Sequence, residues 1–172
     1  MDVNALAVAN YFIELANKNE DEYKTEIQPL GLMKRVYIAH GFSLAIFGKS
    51  LLNPRYDKVE AWRYGPVIPS VYHTFKYLRD KNISMEDRAV YQKQDGSYDY
   101  AVLEDCDAKR VCEAVWERYK GKSSSYMVEI THRQGSPWSA VYKEGQNIEI
   151  PDSYTKLYYT EILKELENKY HE

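Results

Sequence analysis

One nine-residue segment, Ala61–Pro69 (A-W-R-Y-G-P-V-I-P), restricts the fold more than any other part of the sequence. Side chains alternate in extended backbone, so Trp62 and Tyr64 should lie on the same side of it. Gly65 permits torsions and close approaches that other residues resist, and each of the two prolines fixes a φ angle and removes a backbone donor. The segment should therefore form a rigid aromatic corner, which serves either as a connection packed on the core or as a preorganised docking surface.

Apolar residues recur at helical spacing through most of the chain. We expect helices over residues 3–16, 29–47, 105–120 and 123–133, a helix opened by Pro69, a short one after Ser136-Pro137, and a last one after Pro151. The inward faces should be Val71, Tyr72, Phe75 and Leu78 in the helix after Pro69, and Tyr154, Leu157, Tyr158 and Ile162 in the last helix. Gly41 costs about 1 kcal/mol relative to alanine inside a helix. A close helix crossing is the simplest reason for it.

Strand signals are confined to a short stretch. Asp95-Gly96 is a strong two-residue hairpin signal, with arms at residues 89–93 and 97–103. The chain has 172 residues and no repeat, low-complexity tract or long linker, so we expect one domain spanning residues 1–172. The expected fold class is mainly α, a single compact helical domain with one small β-hairpin.

Charge and composition exclude several classes of protein. The net charge is −3, which argues against a large phosphate-binding face. Asp2 stands where a signal peptide would carry positive charge, and no stretch approaches the ~20 apolar residues of a membrane span. Cys106 and Cys112 lie six apart in a predicted helix and should point to different sides, as two free thiols. These features predict a cytoplasmic protein without a membrane partner.

Candidate chemistry is sparse, because the sequence contains none of the common nucleophile, phosphate-loop or zinc-protease patterns. Glu129 and His132 have the E-x-x-H spacing of a carboxylate-bridged metal site, but such sites need a second copy of that pair. A structural His132, hydrogen-bonded to the loop that follows it, is the simpler interpretation. We expect no metal, no cofactor and no catalytic residue.

A modest strip of basic residues can be drawn from Lys34-Arg35 on the second helix through Arg55, Lys58 and Arg63. Such a strip could contact phosphates. A solvated helix face is the simpler explanation, since any two helices joined by a turn can be drawn as a helix-turn-helix. We do not expect a nucleic-acid partner.

Four segments, taken in order, resemble the Panacea (SocA-like) antitoxin domain family, members of which also occur among phage-associated proteins. These segments are Val8–Ile13, the Leu30–Leu51 helix with its glycines, Glu60–Tyr72, and Thr131-His132 with Pro137-Trp138. Two positions depart from the family pattern. Met33 stands where a glutamine is expected and Arg35 where an apolar residue is expected, so this helix face should differ in its contacts.

The resemblance implies an antitoxin-like protein-binding module, not an enzyme, that neutralises a toxin as an adaptor delivering it to a bacterial protease complex. The residues expected to contribute to partner binding are Lys34, Trp62, Tyr64, Gly65, Pro66, Val67, Tyr72, His132 and Trp138. Two alternatives stay open: a phage- or mobile-element-associated regulator that binds DNA or another protein, and a metal-dependent enzyme.

Overall fold

The computed structural model describes residues 3–18 and 25–171. The charged stretch at residues 18–26, for which the sequence predicts an exposed loop, lies mostly outside these ranges. The helices are α1 (Ala5–Ala16), α2 (Pro29–Phe47), α3 (Pro69–Phe75), α4 (Cys106–Tyr119), α5 (Ser124–Thr131), α6 (Pro137–Val141) and α7 (Asp152–Tyr170). The strands are β1 (Glu60–Trp62), β2 (Gly65–Val67), β3 (Val90–Gln92), β4 (Tyr98–Tyr100) and β5 (Ile148–Glu149). The fold is mainly α with a small β part, as predicted. No helix in the described ranges is long and apolar enough to cross a membrane.

The central element is α2, which contacts α1, α3, α4, α5, α7 and β2. It begins at Pro29, whose missing N–H costs nothing in a first turn, and ends at Gly48 in the left-handed region at φ 66°. The predicted close crossing at Gly41 is confirmed, because a Cβ there would overlap the ring of Tyr159 on α7. The glycine therefore lets α7 lie directly against α2.

The predicted inward face of α7 is wrong in part. Tyr154 and Leu157 are 47% and 66% exposed, whereas Thr155 and Tyr159 are buried. The slot at Gly41 admits the Tyr159 ring, and this contact rotates the helix so that its buried face is centred on 155 and 159. Helical periodicity alone does not predict that the Tyr159 ring packs directly against Gly41.

The predicted face of α3 is also wrong at one residue. Val71 and Phe75 are buried, and Leu78 is half-buried in the 3-10 turn that follows the helix. Tyr72, however, is 38% exposed. A seven-residue helix offers its core only the two side chains that stand one turn apart, so the residue after Val71 points outward.

The strands form two small antiparallel sheets. One has the order β2-β1-β5, and the other is the predicted β3–β4 hairpin, with Gly96 at φ 84° in its turn. The β1–β2 hairpin pairs Glu60 with Val67 and Trp62 with Gly65. The sequence predicted a rigid corner there but not this pairing, and it missed β5, whose two residues are too few to show alternation.

Arg35, one of the two departures from the family pattern, is buried. Its guanidinium donates to the carbonyl oxygens of Gly31 at 3.1 Å, Tyr119 at 2.9 Å and Lys122 at 3.2 Å. It therefore ties α2 to the turn between α4 and α5. Because Lys34 is buried as well, the predicted basic strip and the solvated helix face are both wrong at these two positions.

Candidate functional site

The β1–β2 hairpin turns at Arg63-Tyr64 and re-enters the sheet at Gly65. Gly65 has φ 104°, a backbone conformation that costs a residue with a Cβ of order 1–3 kcal/mol. Gly65 is buried, while the two turn residues before it are exposed, Tyr64 at 61%. The hairpin therefore presents its turn to solvent from a buried base.

Lys34 of α2 holds this base. Its Nζ donates to the carbonyl oxygens of Tyr64 at 2.9 Å and Pro66 at 2.8 Å. Burial lowers the pKa of the Lys34 amine to about 7. Both hydrogen bonds survive loss of the proton, since a neutral amine keeps two N–H donors. Lys34 thus supplies donors to two carbonyl groups of the hairpin, through a buried bond to Pro66 and a partly buried bond to Tyr64.

Gly65 is also required by the close approach of its neighbours. A Cβ at this position would lie 3.0 Å from Lys34 Nζ and 3.2 Å from the Cβ of His132. The hairpin, α2 and the end of α5 therefore meet at one glycine, which allows the Lys34 bonds to form.

The segment from α5 to α6 covers the other side of the hairpin. Trp138 Nε1 donates to the carbonyl oxygen of Trp62 at 2.6 Å, and the Trp138 and His132 rings are 5.3 Å apart, edge to face. His132 Nδ1 donates to the carbonyl oxygen of Val128 at 2.7 Å, which lies in its own helix. The predicted bond from His132 to the following loop is therefore wrong.

Trp62 is half-buried, so the core and docking interpretations of the segment both stay open for it. Its Nε1 donates to Glu60 at 2.9 Å, and its ring packs edge to face against Tyr72 at 5.0 Å. One part of the ring rests on the fold and another reaches the surface beside Tyr64 and Tyr72.

An aromatic and cationic surface results, which we call the hairpin face. It consists of Trp62, Arg63, Tyr64, Tyr72, His73 and Lys76. The Arg63 guanidinium lies 5.5 Å from the Tyr64 ring centre, and Lys76 Nζ lies 5.9 Å from that of Tyr72. His73 and Lys76 were not selected from the sequence. Their only signal was their position one turn apart on the exposed side of α3.

The nine residues selected from the sequence fall into two groups. Trp62, His132 and Trp138 are half-buried, Tyr64 and Tyr72 are exposed, and Lys34, Gly65, Pro66 and Val67 are buried. All nine lie on or next to the β1–β2 hairpin. The buried group can contribute to partner binding only by holding the hairpin in place, and the role of each residue stays a prediction.

Glu129 and His132, the residues with metal-site spacing, each form a hydrogen bond within the fold. Glu129 accepts a hydrogen bond from Arg133 at 3.1 Å, and His132 Nδ1 is bound to a backbone carbonyl. Within residues 3–18 and 25–171, no group of three or more His, Cys, Asp or Glu side chains is placed to hold a metal ion.

The buried histidine and cysteine are also engaged in the fold. His40 accepts from the N–H of Leu51 at 3.3 Å and donates to Asp152 at 3.0 Å, so neither ring nitrogen is available to a substrate. Both cysteines are free, as predicted, with Cys106 exposed and Cys112 buried. Burial raises the pKa of the Cys112 thiol, which disfavours a reactive thiolate.

A groove of about 1020 Å³ lies between the start of α1, the loop at residues 49–57 and the β3–β4 hairpin. Its carboxylate, Asp57, accepts from the N–H groups of Ala5 and Asn53 and from the hydroxyl of Ser70. These three bonds, between 2.6 and 2.9 Å, commit Asp57 to holding three segments together.

Comparison with known proteins agrees with this architecture. The sequence profile of the family described as "Antitoxin SocA-like, Panacea domain" matches residues 32–139, a span that begins in the first turn of α2, contains the hairpin and ends within α6 at Ser139. The curated protein "Antitoxin SocA" of Caulobacter vibrioides (strain NA1000 / CB15N) is 32% identical over 143 residues, covering 81% of this chain and 70% of the relative. No solved structure matches the chain.

These matches support an antitoxin role and a regulatory rather than enzymatic activity. The profile covers two of the four segments that carried the resemblance and all but the first two residues of a third, and all nine selected residues fall within it. The resemblance is therefore confirmed, and the chain belongs to the SocA-like antitoxin family that is defined by the Panacea domain.

Proposed function

We propose that this protein is the antitoxin of a toxin–antitoxin pair and that it binds its toxin through the hairpin face. The observation that carries the proposal is an exposed aromatic surface fixed from below by Lys34 and from the side by Trp138. Tryptophan, tyrosine and arginine dominate the residues that contribute most to protein interfaces.

Rigidity of the hairpin supports this assignment. The turn carrying Tyr64 is held by two bonds from a buried lysine, and Trp62 is held by hydrogen bonds at its ring nitrogen and its carbonyl oxygen. A surface that is already ordered loses less conformational entropy when a partner binds. Tyr64 and Tyr72 are the exposed rings that a toxin would cover.

The product of the neighbouring gene is the toxin to test, by growth rescue and by co-purification. We expect Tyr64→Ala to weaken binding by about 30-fold, the effect of losing a central interface residue worth about 2 kcal/mol. The midpoint of thermal unfolding should not change, since the Tyr64 ring is 61% exposed.

The matched control is Tyr98→Ala on β4, because Tyr98 is similarly exposed at 66% and lies outside the hairpin face. This control should bind the toxin as the unaltered chain does. Equal affinity for both variants would remove the hairpin face from the proposal. A neighbouring gene that encodes no growth inhibitor, with no toxin co-purifying, would count against the antitoxin role itself.

We further propose that binding leads to delivery of the toxin to a bacterial protease complex, as the family resemblance implies. The toxin's half-life after translation is blocked should then fall when this chain is present. It should stay long when the chain carries Tyr64→Ala, since delivery requires binding. A complex that neutralises the toxin without shortening its half-life would leave simple sequestration as the mechanism.

A further inference from the structure

The hairpin face carries two cations, Arg63 and Lys76, that pair with no carboxylate among residues 3–18 and 25–171. The Arg63 guanidinium lies over the ring of Tyr64, and Lys76 Nζ lies over Tyr72 and 3.2 Å from Nδ1 of His73. Some basic side chains elsewhere pair with acids, as Lys49 does with Asp107, Arg88 with Glu14, Lys93 with Asp99 and Arg133 with Glu129. Others, such as Arg118 and Lys122, lie over tyrosine rings. Arg63 and Lys76 are thus free to accept an acidic partner.

The nearest carboxylate in the hairpin does not neutralise them. Glu60 is 8% exposed; its Oε2 accepts from Trp62 at 2.9 Å and its Oε1 pairs with Lys58 at 3.2 Å. Glu149 lies opposite Glu60 on β5, at the end of β1 away from the turn. Positive charge therefore persists around the turn and α3, although the whole chain has a net charge of −3.

The spacing of the charges indicates what they would bind. The Trp62 and Tyr72 rings pack edge to face with centres 5.0 Å apart; Arg63 follows Trp62 in the chain, and Lys76, just after α3, lies over the Tyr72 ring. The net charge of −3 disfavours a nucleic acid, because a polyanion is repelled by the chain as a whole. A protein segment with carboxylates on either side of an apolar side chain would satisfy both cations and cover the rings.

We propose that the toxin contacts the hairpin face through such an acidic segment, with Asp or Glu side chains paired to Arg63 and Lys76 and an apolar side chain on Trp62 and Tyr72. This inference rests on the proposed function and adds the chemistry of the partner. Electrostatic pairing of this kind sets the association rate and selects the partner.

The test is the affinity of the purified toxin for the double variant Arg63→Glu/Lys76→Glu, measured at low and high salt. We expect the variant to bind at least about tenfold more weakly at low salt, since like charges now face each other. The unaltered complex should weaken as salt rises. Arg63→Gln/Lys76→Gln should bind with intermediate affinity and a shallower salt dependence.

The control is Lys156→Glu/Lys169→Glu on the exposed side of α7, which changes the net charge by the same amount away from the face. Unchanged affinity of the toxin for Arg63→Glu/Lys76→Glu would overturn the proposal of an acidic segment. If Tyr64→Ala still lowers the affinity, the hairpin face stays the binding site. If neither variant weakens binding, the proposed site fails. A single-stranded oligonucleotide that displaces the toxin from the unaltered chain but not from Arg63→Glu/Lys76→Glu would show that the face binds a nucleic acid and would overturn the acidic segment.

Discussion

At the scale of single residues, Lys34 has an effect that its charge alone does not suggest. A lysine on a helix usually lies on a solvated face, but here the amine is buried and serves two carbonyl groups of the hairpin. No local pattern in the sequence indicates this, because the acceptors lie about thirty residues further along the chain. The family resemblance selected Lys34, and the structure supplies the reason.

Lys34 should make stability depend on pH. The folded chain holds this amine neutral above its pKa of about 7, whereas the unfolded chain keeps it protonated up to its ordinary pKa of 10.5. Between these values the unfolded state binds more protons, so the Lys34 contribution to stability rises with pH, by at most about 1.4 kcal/mol per pH unit. Below pH 7 the cost of the buried charge is fully present.

Urea unfolding of the unaltered chain and Lys34→Met at about pH 6.5, 8 and 9.5 measures this effect. The stability difference should shift in favour of the unaltered chain as pH rises. Lys156→Met, which removes an exposed lysine, should show a constant difference. Parallel curves for Lys34→Met would mean that the amine stays charged in the folded protein.

Gly65 is the second residue whose substitution should be costly. Gly65→Ala requires a residue with a Cβ to adopt φ 104° and also crowds Lys34 and His132, so we expect a loss of about 1–3 kcal/mol or more. Gly96→Ala is the control, because Gly96 has φ 84° but no atom within 4 Å of its would-be Cβ. If thermal melts show equal losses for the two variants, the crowding at Gly65 has no energetic effect.

At the scale of elements, the limits of the helices followed from the sequence better than their buried faces did. Pro29, Gly48 and Asp105 occupy the terminal positions for which their chemistry suits them. The face of α7 did not follow, because it depends on Tyr159 entering the slot at Gly41. The position at which a helix ends depends on the chemistry of adjacent residues. The face that it buries depends on a packing partner that is distant in sequence.

This crossing yields a prediction from a double-mutant cycle. Gly41→Ala should cost about 1–3 kcal/mol, because the new methyl group overlaps the Tyr159 ring. In a Tyr159→Leu background the same change should cost far less, since the ring is gone and alanine favours the helix by about 1 kcal/mol. Additive losses in urea unfolding would show that the ring moves aside freely and that the glycine has another purpose.

At the scale of the whole molecule, the sequence predicted the fold class and a rigid corner at Ala61–Pro69 but not how that corner is held. The aromatic corner, the order of the helices and the Asp95-Gly96 hairpin could be inferred from local chemistry. The β1–β2 pairing, the two-residue β5 and the cations on α3 could not, since each depends on contacts between distant segments. Lys34, Gly65, Pro66 and Val67 are buried beneath the exposed turn. The motif that suggested a binding site therefore also helps to build the fold.

Two neighbouring residues of α2 tie two segments, distant in sequence, to that helix, which predicts how the molecule unfolds. Lys34 binds the β1–β2 hairpin, and Arg35 binds the turn between α4 and α5. Neither segment can detach from α2 without breaking the two hydrogen bonds that one of these side chains donates to its carbonyl groups. The chain should therefore unfold in one cooperative transition, as a single domain would.

The three tryptophans allow this to be measured at both segments. Trp116→Phe leaves Trp62 and Trp138 as reporters of the hairpin, and Trp62→Phe/Trp138→Phe leaves Trp116 as a reporter of α4. In each variant the fluorescence midpoint should coincide with the loss of helical circular dichroism. Fluorescence of Trp62 and Trp138 that changes before the helices melt would make the hairpin a separate unit, and its rigidity could then no longer support the proposed binding face.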